Sequence, residues 1–245
     1  MSTRFWSVYG YALDALAHYL CAMERLLQIT QDGSHTIAVP GLRLTYHSMR
    51  GAVQESMHIF IRAGLQPLLG QFPQLRIFEM GMGTGLNAWL TLQQAVTQQQ
   101  PVYYETVEPY PLSAAEIHGL NYGALLNNQS SCSFASLHEA PWEQDTAIHP
   151  LFTLHKMQRP LATYLGYPLR VPFHLVYFDA FDPVVQPELW AQPVFEQLYA
   201  RMYTGAALLT YCSKGIVRRA MKAAGFAVEK LPGPPGKREI VRAVK

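Results

Sequence analysis

Leu75-Arg76-Ile77-Phe78-Glu79-Met80-Gly81-Met82-Gly83-Thr84-Gly85-Leu86-Asn87 is a short apolar run that breaks into three glycines at alternate positions. Residues 75–80 read as a buried strand and residues 86–97 as the helix that follows it. Glycines between them let the backbone turn sharply and approach a ligand held against the helix N-terminus. The next strand, 102–108, ends in Glu108, 23 residues after Gly85. A carboxylate there can accept hydrogen bonds from both hydroxyls of a ribose. Two ligands fit so far, a dinucleotide and S-adenosylmethionine. A dinucleotide needs a phosphate cradle, usually G-x-G-x-x-G. Here the spacing is G-x-G-x-G, and Glu79 lies two residues before the first glycine. An acid so close repels a pyrophosphate but pairs with the ammonium of a methionyl group, which favours S-adenosylmethionine. The plainer reading of Glu79 is a strand-end carboxylate capping nearby amides.

Outward from this loop, strands and helices alternate. Residues 35–46 read as two short strands broken at Pro40-Gly41, and 55–69 and 111–126 as helices. Residues 129–170, with scattered Pro and His, read as loop plus helix. Residues 173–178 form the clearest buried strand and end at Asp179. A helix over 187–203, a strand over 206–211 and a helix over 214–224 follow. The chain closes with strands 226–231 and 239–244, joined by too few residues for a crossover helix, so they pair as an antiparallel hairpin. Alternation of this kind gives a parallel sheet with helices on both faces. The fold class is α/β, a Rossmann-like class I S-adenosylmethionine-dependent methyltransferase sheet with a C-terminal antiparallel hairpin and a small N-terminal β/α extension. Residues 28–245 read as one domain and residues 1–27 as an N-terminal extension.

Ligands of open α/β sheets bind beyond the carboxyl ends of the strands. Asp179-Ala180-Phe181-Asp182-Pro183 therefore reaches the same edge as the glycine loop. An alkyl amine is mostly charged at neutral pH and must lose a proton before it attacks a methyl group. Asp179 can orient such an amine and accept its proton, and Phe181 can stack on a base or shape the pocket. The alternative for Asp179 is an Asx-turn leaving the strand. Asp182, before Pro183, suits a turn better than chemistry.

The 245 residues carry 19 Lys and Arg against 17 Asp and Glu, and 49% are hydrophobic against 15% charged. This composition excludes a disordered or highly charged coiled-coil chain. Cys21, Cys132 and Cys212 form no C-x-x-C pair, which argues against a disulfide framework or zinc site and fits a reducing, cytoplasmic setting. No histidines pair at metal-ligand spacing, so no metal is expected. His138 suits either the adenine loop or a packed surface position. The apolar stretch Phe5–Met23 is interrupted by Asp14 and His18 and reads as an amphipathic packing helix rather than a membrane span or signal peptide. Met23 is a candidate translation start.

Charge is unevenly placed. Residues 201–245 hold ten Lys or Arg against two acids, a charge of +8, which leaves −6 on residues 1–200. Such segregation points to a polyanionic partner. Arg218, Arg219 and Lys222 share a helix, and Lys237-Arg238 sits on the hairpin tip; all five are candidate phosphate contacts.

Several segments together resemble one family. They are Asp32-Gly33-Ser34-His35-Thr36, Tyr46-His47-Ser48-Met49-Arg50-Gly51-Ala52-Val53-Gln54-Glu55-Ser56, the glycine loop with Asn87, Asp179–Pro183 with Pro187-Glu188-Leu189-Trp190, Thr210-Tyr211-Cys212-Ser213 with Val217-Arg218-Arg219, and Gly236-Lys237-Arg238-Glu239. Over residues 28–245 they resemble the bacterial tRNA 5-methylaminomethyl-2-thiouridine methyltransferases, which comprise the stand-alone MnmD and the methyltransferase half of bifunctional MnmC. The resemblance implies methyl transfer from S-adenosylmethionine to the exocyclic amine of 5-aminomethyl-2-thiouridine at the tRNA wobble position. It implies that Glu79, Gly81, Gly83, Gly85 and Glu108 bind the donor, joined by Tyr46 and Glu55, with Asp179 at the reacting amine. No flavin is implied, and the chain length implies the form without a fused oxidase domain. The loop at 136–142 departs from the bifunctional enzymes by lacking their Gly-Asp near adenine. Two other readings stand beside this one: a polyamine aminopropyltransferase, which has a similar Asp-x-x-Asp-Pro loop, and a non-catalytic nucleotide- or RNA-binding module.

Overall fold

The computed structural model describes residues 24–126, 131–169 and 171–245. The expected packing helix up to Met23, and Met23 as a start, lie outside the described residues. Three short antiparallel strands, β1 (Leu26–Ile29), β2 (His35–Val39) and β3 (Leu44–Thr45), form a sheet of their own. β1 spans the boundary expected between residues 27 and 28. The turn after β1 is tied by Asp32, whose carboxylate accepts from Thr30 Oγ1 (2.7 Å), the Ser34 amide (3.0 Å) and the Gln54 amide (2.9 Å). Burial works against this charge, but the hydrogen bonds from Ser34, Gln54 and Thr30 outweigh it and hold the carboxyl below its ordinary range. The Gln54 amide belongs to the first turn of α1 (Ala52–Ser56), which runs on into π-helical turns over Met57–Leu65.

The main sheet then begins. β4 (Leu75–Met80) leads through the glycine loop to α2 (Leu86–Thr97), and β5 (Val102–Val107) leads to α3 (Ala114–Gly119) and α4 (Tyr122–Leu125). Residues expected to be loop plus helix carry α5 (Ala135–Glu139), then two strands, β6 (Asp145–His149) and β7 (Phe152–Met157), then α6 (Leu161–Leu165). The reason β7 escapes a reading by pattern is local. Phe152, Leu154 and Lys156 are buried while Thr153 and His155 are not. A lysine therefore occupies an inward position and breaks the apolar alternation. Its Nζ donates to the His138 carbonyl (2.7 Å) and lies 4.5 Å from the centre of the Trp142 ring. Burial lowers its pKa to about 8.

β8 (Phe173–Phe178) ends at Asp179. The helix expected over 187–203 divides into a 3-10 turn, Pro187–Trp190, and α7 (Gln192–Ala200), with extended backbone at Ala191 between them. Pro193 lies in the first turn of α7, where a missing N–H costs nothing. β9 (Met202–Thr210) begins inside the expected helix, because Arg201 turns inward and donates to the carbonyls of Leu165 (2.6 Å) and Tyr167 (2.5 Å). α8 (Gly215–Ala223), β10 (Ala227–Pro232) and β11 (Glu239–Val244) complete the chain.

The strand order is β10-β11-β9-β8-β4-β5-β7-β6. β9, β8, β4, β5 and β7 run parallel, β11 and β10 form the expected antiparallel hairpin, and β6 returns antiparallel to β7. One apolar core, including Trp89, Tyr104, Tyr177 and Phe60, lies on one face, and another, including Phe78, Phe195 and Phe226, lies on the other. Burial on both faces explains why β4 and β8 are near-continuous apolar runs. β4 has neighbours that are reached by opposite crossovers, and the crevice beyond its carboxyl end is where an open α/β sheet receives its ligand.

Candidate active site

A cavity of about 350 Å³ opens at that crevice. Its lining draws on the glycine loop (Gly81, Met82, Gly83, Thr84), the first turn of α2 (Leu86, Asn87), the end of β5 (Glu108, Pro109, Tyr110) and the loop after β8 (Asp179 to Asp182). Tyr46, His47, Ser48 and Glu55 close it from the N-terminal sheet and α1, and Tyr211 and Lys237 from the C-terminal strands. Tyr46, Glu55, Gly81, Gly83, Glu108, Asp179 and Phe181 are thus brought together. Glu79 and Gly85 are not on the lining.

The loop geometry demands its glycines. Gly81, Gly83 and Gly85 all have positive φ, at 86°, 50° and 76°, a region other L-residues avoid. A Cβ on Gly83 would lie 3.1 Å from the Tyr46 ring, and one on Gly85 would lie 2.8 Å from His138 Nε2. His138 sits beneath the loop, with Nε2 donating to the Thr84 carbonyl at 3.1 Å; burial lowers its pKa to about 4, so it is a packed neutral histidine. His47 is similar. It lies between Thr36 and Thr84, and burial lowers its pKa to about 4 although Glu55 and Asp32 favour its charge.

The carboxylates differ in how they are held. Glu108 accepts the Gly83 amide on one oxygen and the Tyr110 amide on the other, both at 2.9 Å. Burial still raises its pKa. Glu79 is fully buried beneath the loop, and neither oxygen meets a donor at full hydrogen-bond geometry. Burial pushes its carboxyl well above the usual range; Asn87 and Tyr104 face it, and the charge of Asp179 adds to the rise.

Asp179 Oδ2 accepts from Asn87 Nδ2 at 2.9 Å. Burial, reinforced by the Glu55 charge, raises its pKa to about 7, against the opposing influence of Asn87 and Lys237. The loop that carries it is fixed at both following carbonyls, by Tyr211 Oη on Ala180 (2.9 Å) and by Trp190 Nε1 on Phe181 (2.8 Å). The Phe181 ring meets Tyr46 edge-on at 5.2 Å. Asp182 makes a turn, accepting from the Val184 amide and pairing with Lys214 at 2.6 Å. Glu55 Oε2 accepts the Ser48 amide (2.8 Å), and its Oε1 lies 2.5 Å from Lys237 Nζ.

Three partners of this site carried no assigned role in the sequence. Asn87 stands one residue inside α2, Tyr211 one residue beyond β9, and His47 in the segment after β3. The signal available was position, since each lies within two residues of an element end that faces the cavity. The five basic residues also separate. Arg219, Lys222 and Arg238 are exposed, Arg218 is half-buried with Nε donating to the Ser213 carbonyl (3.1 Å), and Lys237 turns into the cavity. Among the described residues, no group of three or more His, Cys, Asp or Glu is placed to hold a metal ion, and no helix is long and apolar enough to cross a membrane.

Comparison with known proteins gives a consistent result. A family described as S-adenosyl-L-methionine-dependent methyltransferase matches residues 169–245. The tRNA 5-methylaminomethyl-2-thiouridine biosynthesis bifunctional protein MnmC of Burkholderia multivorans is 29% identical over 226 residues, covering 88% of this chain and 34% of that protein. The chain spans about a third of the length of the curated relatives it matches. The crystal structure of MnmC2 from Aquifex aeolicus superposes with a TM-score of 0.73 at 22% identity, covering 91% of this chain and 70% of that one. Spermidine synthase from Thermotoga maritima gives 0.56 at 11% identity, covering 91% and 69%. At such identities the structural likeness is one of fold. The sequence relationship along most of the chain, the family match over its last strands and the common sheet all support the MnmC/MnmD-type family of S-adenosyl-L-methionine-dependent methyltransferases.

Proposed function

We propose that the chain methylates the exocyclic amine of 5-aminomethyl-2-thiouridine at the wobble position of tRNA, giving 5-methylaminomethyl-2-thiouridine, and that it works in the cytoplasm. The observation that carries the reading is Asp179. It is a carboxylate at the mouth of the sheet crevice, oriented by Asn87 and poised near neutrality beside the glycine loop.

The residues fit the donor. The cavity lies within the usual size for a small-molecule site. Glu108 points a carboxylate into it at the strand end where a ribose is bound in this type of fold. Glu79 lies directly beneath the loop as a buried carboxyl faced by Asn87 and Tyr104, and a ligand cation above it would offset the cost of its charge. We assign Glu79, Gly81, Gly83, Gly85 and Glu108 to the donor, with Tyr46 and Glu55 closing its N-terminal side. Bound S-adenosylmethionine supplies an electrophilic methyl group on a sulfonium. Asp179 holds the acceptor's ammonium and takes one proton from it, which frees the nitrogen lone pair. Phe181, edge-on to Tyr46, forms an aromatic wall against which a pyrimidine ring can rest. The transfer changes no oxidation state, so it calls for neither a flavin nor a metal. Arg218, Arg219, Lys222 and Arg238 supply positive charge outside the cavity for RNA phosphates.

The test is methyl transfer. Purified protein, S-adenosylmethionine and tRNA bearing 5-aminomethyl-2-thiouridine are incubated, and the digested nucleosides are read by mass spectrometry. A gain of one methyl group on that nucleoside is expected. Retained donor binding without that gain would overturn the acceptor assignment. Preference for the decarboxylated donor with a polyamine would establish the aminopropyltransferase alternative instead.

A further inference from the structure

The hairpin tip between β10 and β11 reads in the sequence as an outward, phosphate-seeking element, yet one of its two cations points the other way. The tip is tightly set. The Gly233 amide donates to the Arg238 carbonyl (3.1 Å), and the Lys237 amide donates to the Pro234 carbonyl (2.9 Å). Gly236 has φ +89°, and a Cβ there would collide with Arg50 Cδ, so the Arg50 side chain lies directly against the turn. Held in this way, Lys237 extends into the cavity while Arg238 faces solvent. Its Nζ lies 2.5 Å from Glu55 Oε1 and 4.1 Å from the centre of the Tyr211 ring. The Glu55 side chain is only 11% exposed and is gripped on its other oxygen by the Ser48 amide.

We propose that Lys237 is a positioning residue of the methyl-transfer site, fixing the Glu55 carboxylate and balancing the charge that Asp179 experiences, rather than a contact to RNA phosphate. This rests on the function proposed above. Two carboxylates, Glu55 and Asp179, line one cavity, and the Glu55 charge discourages ionisation of Asp179. The groups that face Asp179 come from several elements. Glu55 arrives from α1, Glu79 from β4, Tyr104 from β5, Asn87 from α2 and Tyr211 from the end of β9; Asp182, paired with Lys214, stands on the same loop. Lys237 brings positive charge into this predominantly acidic surround. Without it, Glu55 acts on Asp179 uncompensated, and the proton stays on Asp179 to higher pH. The Tyr211 ring, whose hydroxyl fixes the Ala180 carbonyl, gives the ammonium a second anchor by a cation–π contact.

The experiment compares K237M and K237R with the parent protein. In K237M the acid limb of the kcat–pH profile for methyl transfer moves to higher pH by about one unit, the scale of a nearby opposite charge. K237R keeps the parent limb. Carbon-13 NMR of labelled aspartate carboxyls, with Asp179 assigned through D179N, shows the same displacement in the donor-free protein. The slope of log affinity against log salt for tRNA binding stays at the parent value in K237M. E55Q, which supplies a second route if K237M fails to fold, moves the limb to lower pH. An unmoved limb in both K237M and E55Q overturns the proposal. So does a K237M salt slope reduced by about 0.7–0.9, the loss of one phosphate contact. If the parent protein transfers no methyl group to this nucleoside, the proposed function fails instead, and the NMR titration alone decides the role of Lys237.

Discussion

The ends of β4 and β5 lie side by side under the glycine loop and each buries a glutamate, but the two carboxylates live under opposite conditions. Glu108 has an amide on each oxygen, one from the loop itself and one from Tyr110. Glu79, on the adjacent strand, has no amide on either oxygen and only the side chains of Asn87 and Tyr104 facing it. A satisfied buried carboxylate organises the backbone around it, whereas an unsatisfied one costs folding free energy and persists where a ligand repays that cost. Asp179 stands nearer to Glu79 in this respect, with one side-chain partner and burial that raises its pKa to about 7. The strand ends thus divide into one that builds the loop and two that carry buried carboxyls with few partners.

The largest expected effect falls on the side with few partners. D179N lowers kcat by about 10²–10⁴, the usual contribution of a positioned proton acceptor, with donor affinity much less affected. An equal loss of donor affinity would move Asp179 from the acceptor to the donor. The same substitution stabilises the fold at high pH. The folded-state pKa is raised above an ordinary value of 3.8, so the cost of the buried charge grows as pH climbs from about 4 to about 7 and is complete above that window. D179N is therefore more stable than the parent by up to about 4 kcal/mol at pH 8, and the difference vanishes below about pH 4. Urea denaturation at the two pH values measures it.

Next in size is the contrast between the glutamates themselves. E79Q weakens donor binding by about tenfold or more, as expected when one member of a buried charge pair is removed, yet makes the donor-free protein more stable than the parent at pH 8, because burial holds the Glu79 pKa well above its ordinary value and the substitution removes that cost. E108A weakens donor binding and also destabilises the donor-free protein by about 2 kcal/mol, because two charge-assisted hydrogen bonds disappear. Equal destabilisation by both substitutions would erase the distinction. The smallest effect lies outside the cavity. R219A and K222A each reduce the salt slope of tRNA binding by about 0.7–0.9, and R218A reduces it less, since its Nε is already engaged by the Ser213 carbonyl. Equal slopes in all three variants would show that this helix faces away from the RNA.

The parts of the molecule that can be read from sequence are those whose signal is local. The apolar run ending in three alternating glycines fixes β4, the loop and α2 together, and Asp179 follows from Phe173–Phe178, the clearest buried strand of the chain. β6 and β7 are illegible because their evidence is tertiary. Lys156 takes a core position only because the His138 carbonyl and the Trp142 ring stand over it. Two helical segments merge into one in the pattern of 187–203, since extended backbone at a single alanine leaves no trace in periodicity. The direction of Lys237 was likewise hidden. A lysine on a Gly-Pro-rich turn reads as solvated, and its inward partners, Glu55 and the Tyr211 ring, are tertiary contacts, Glu55 nearly two hundred residues earlier in the chain.

Lys156 also equips the protein with an internal clock. With its pKa lowered to about 8, its amine is substantially neutral at mildly alkaline pH, when surface lysines are still protonated. In the folded protein it is sealed, with 1% of its surface exposed. Its reaction with an amine-directed reagent therefore waits on the parting of β7 from the helix above it, and the labelling rate of this one side chain reports how often that side of the sheet opens.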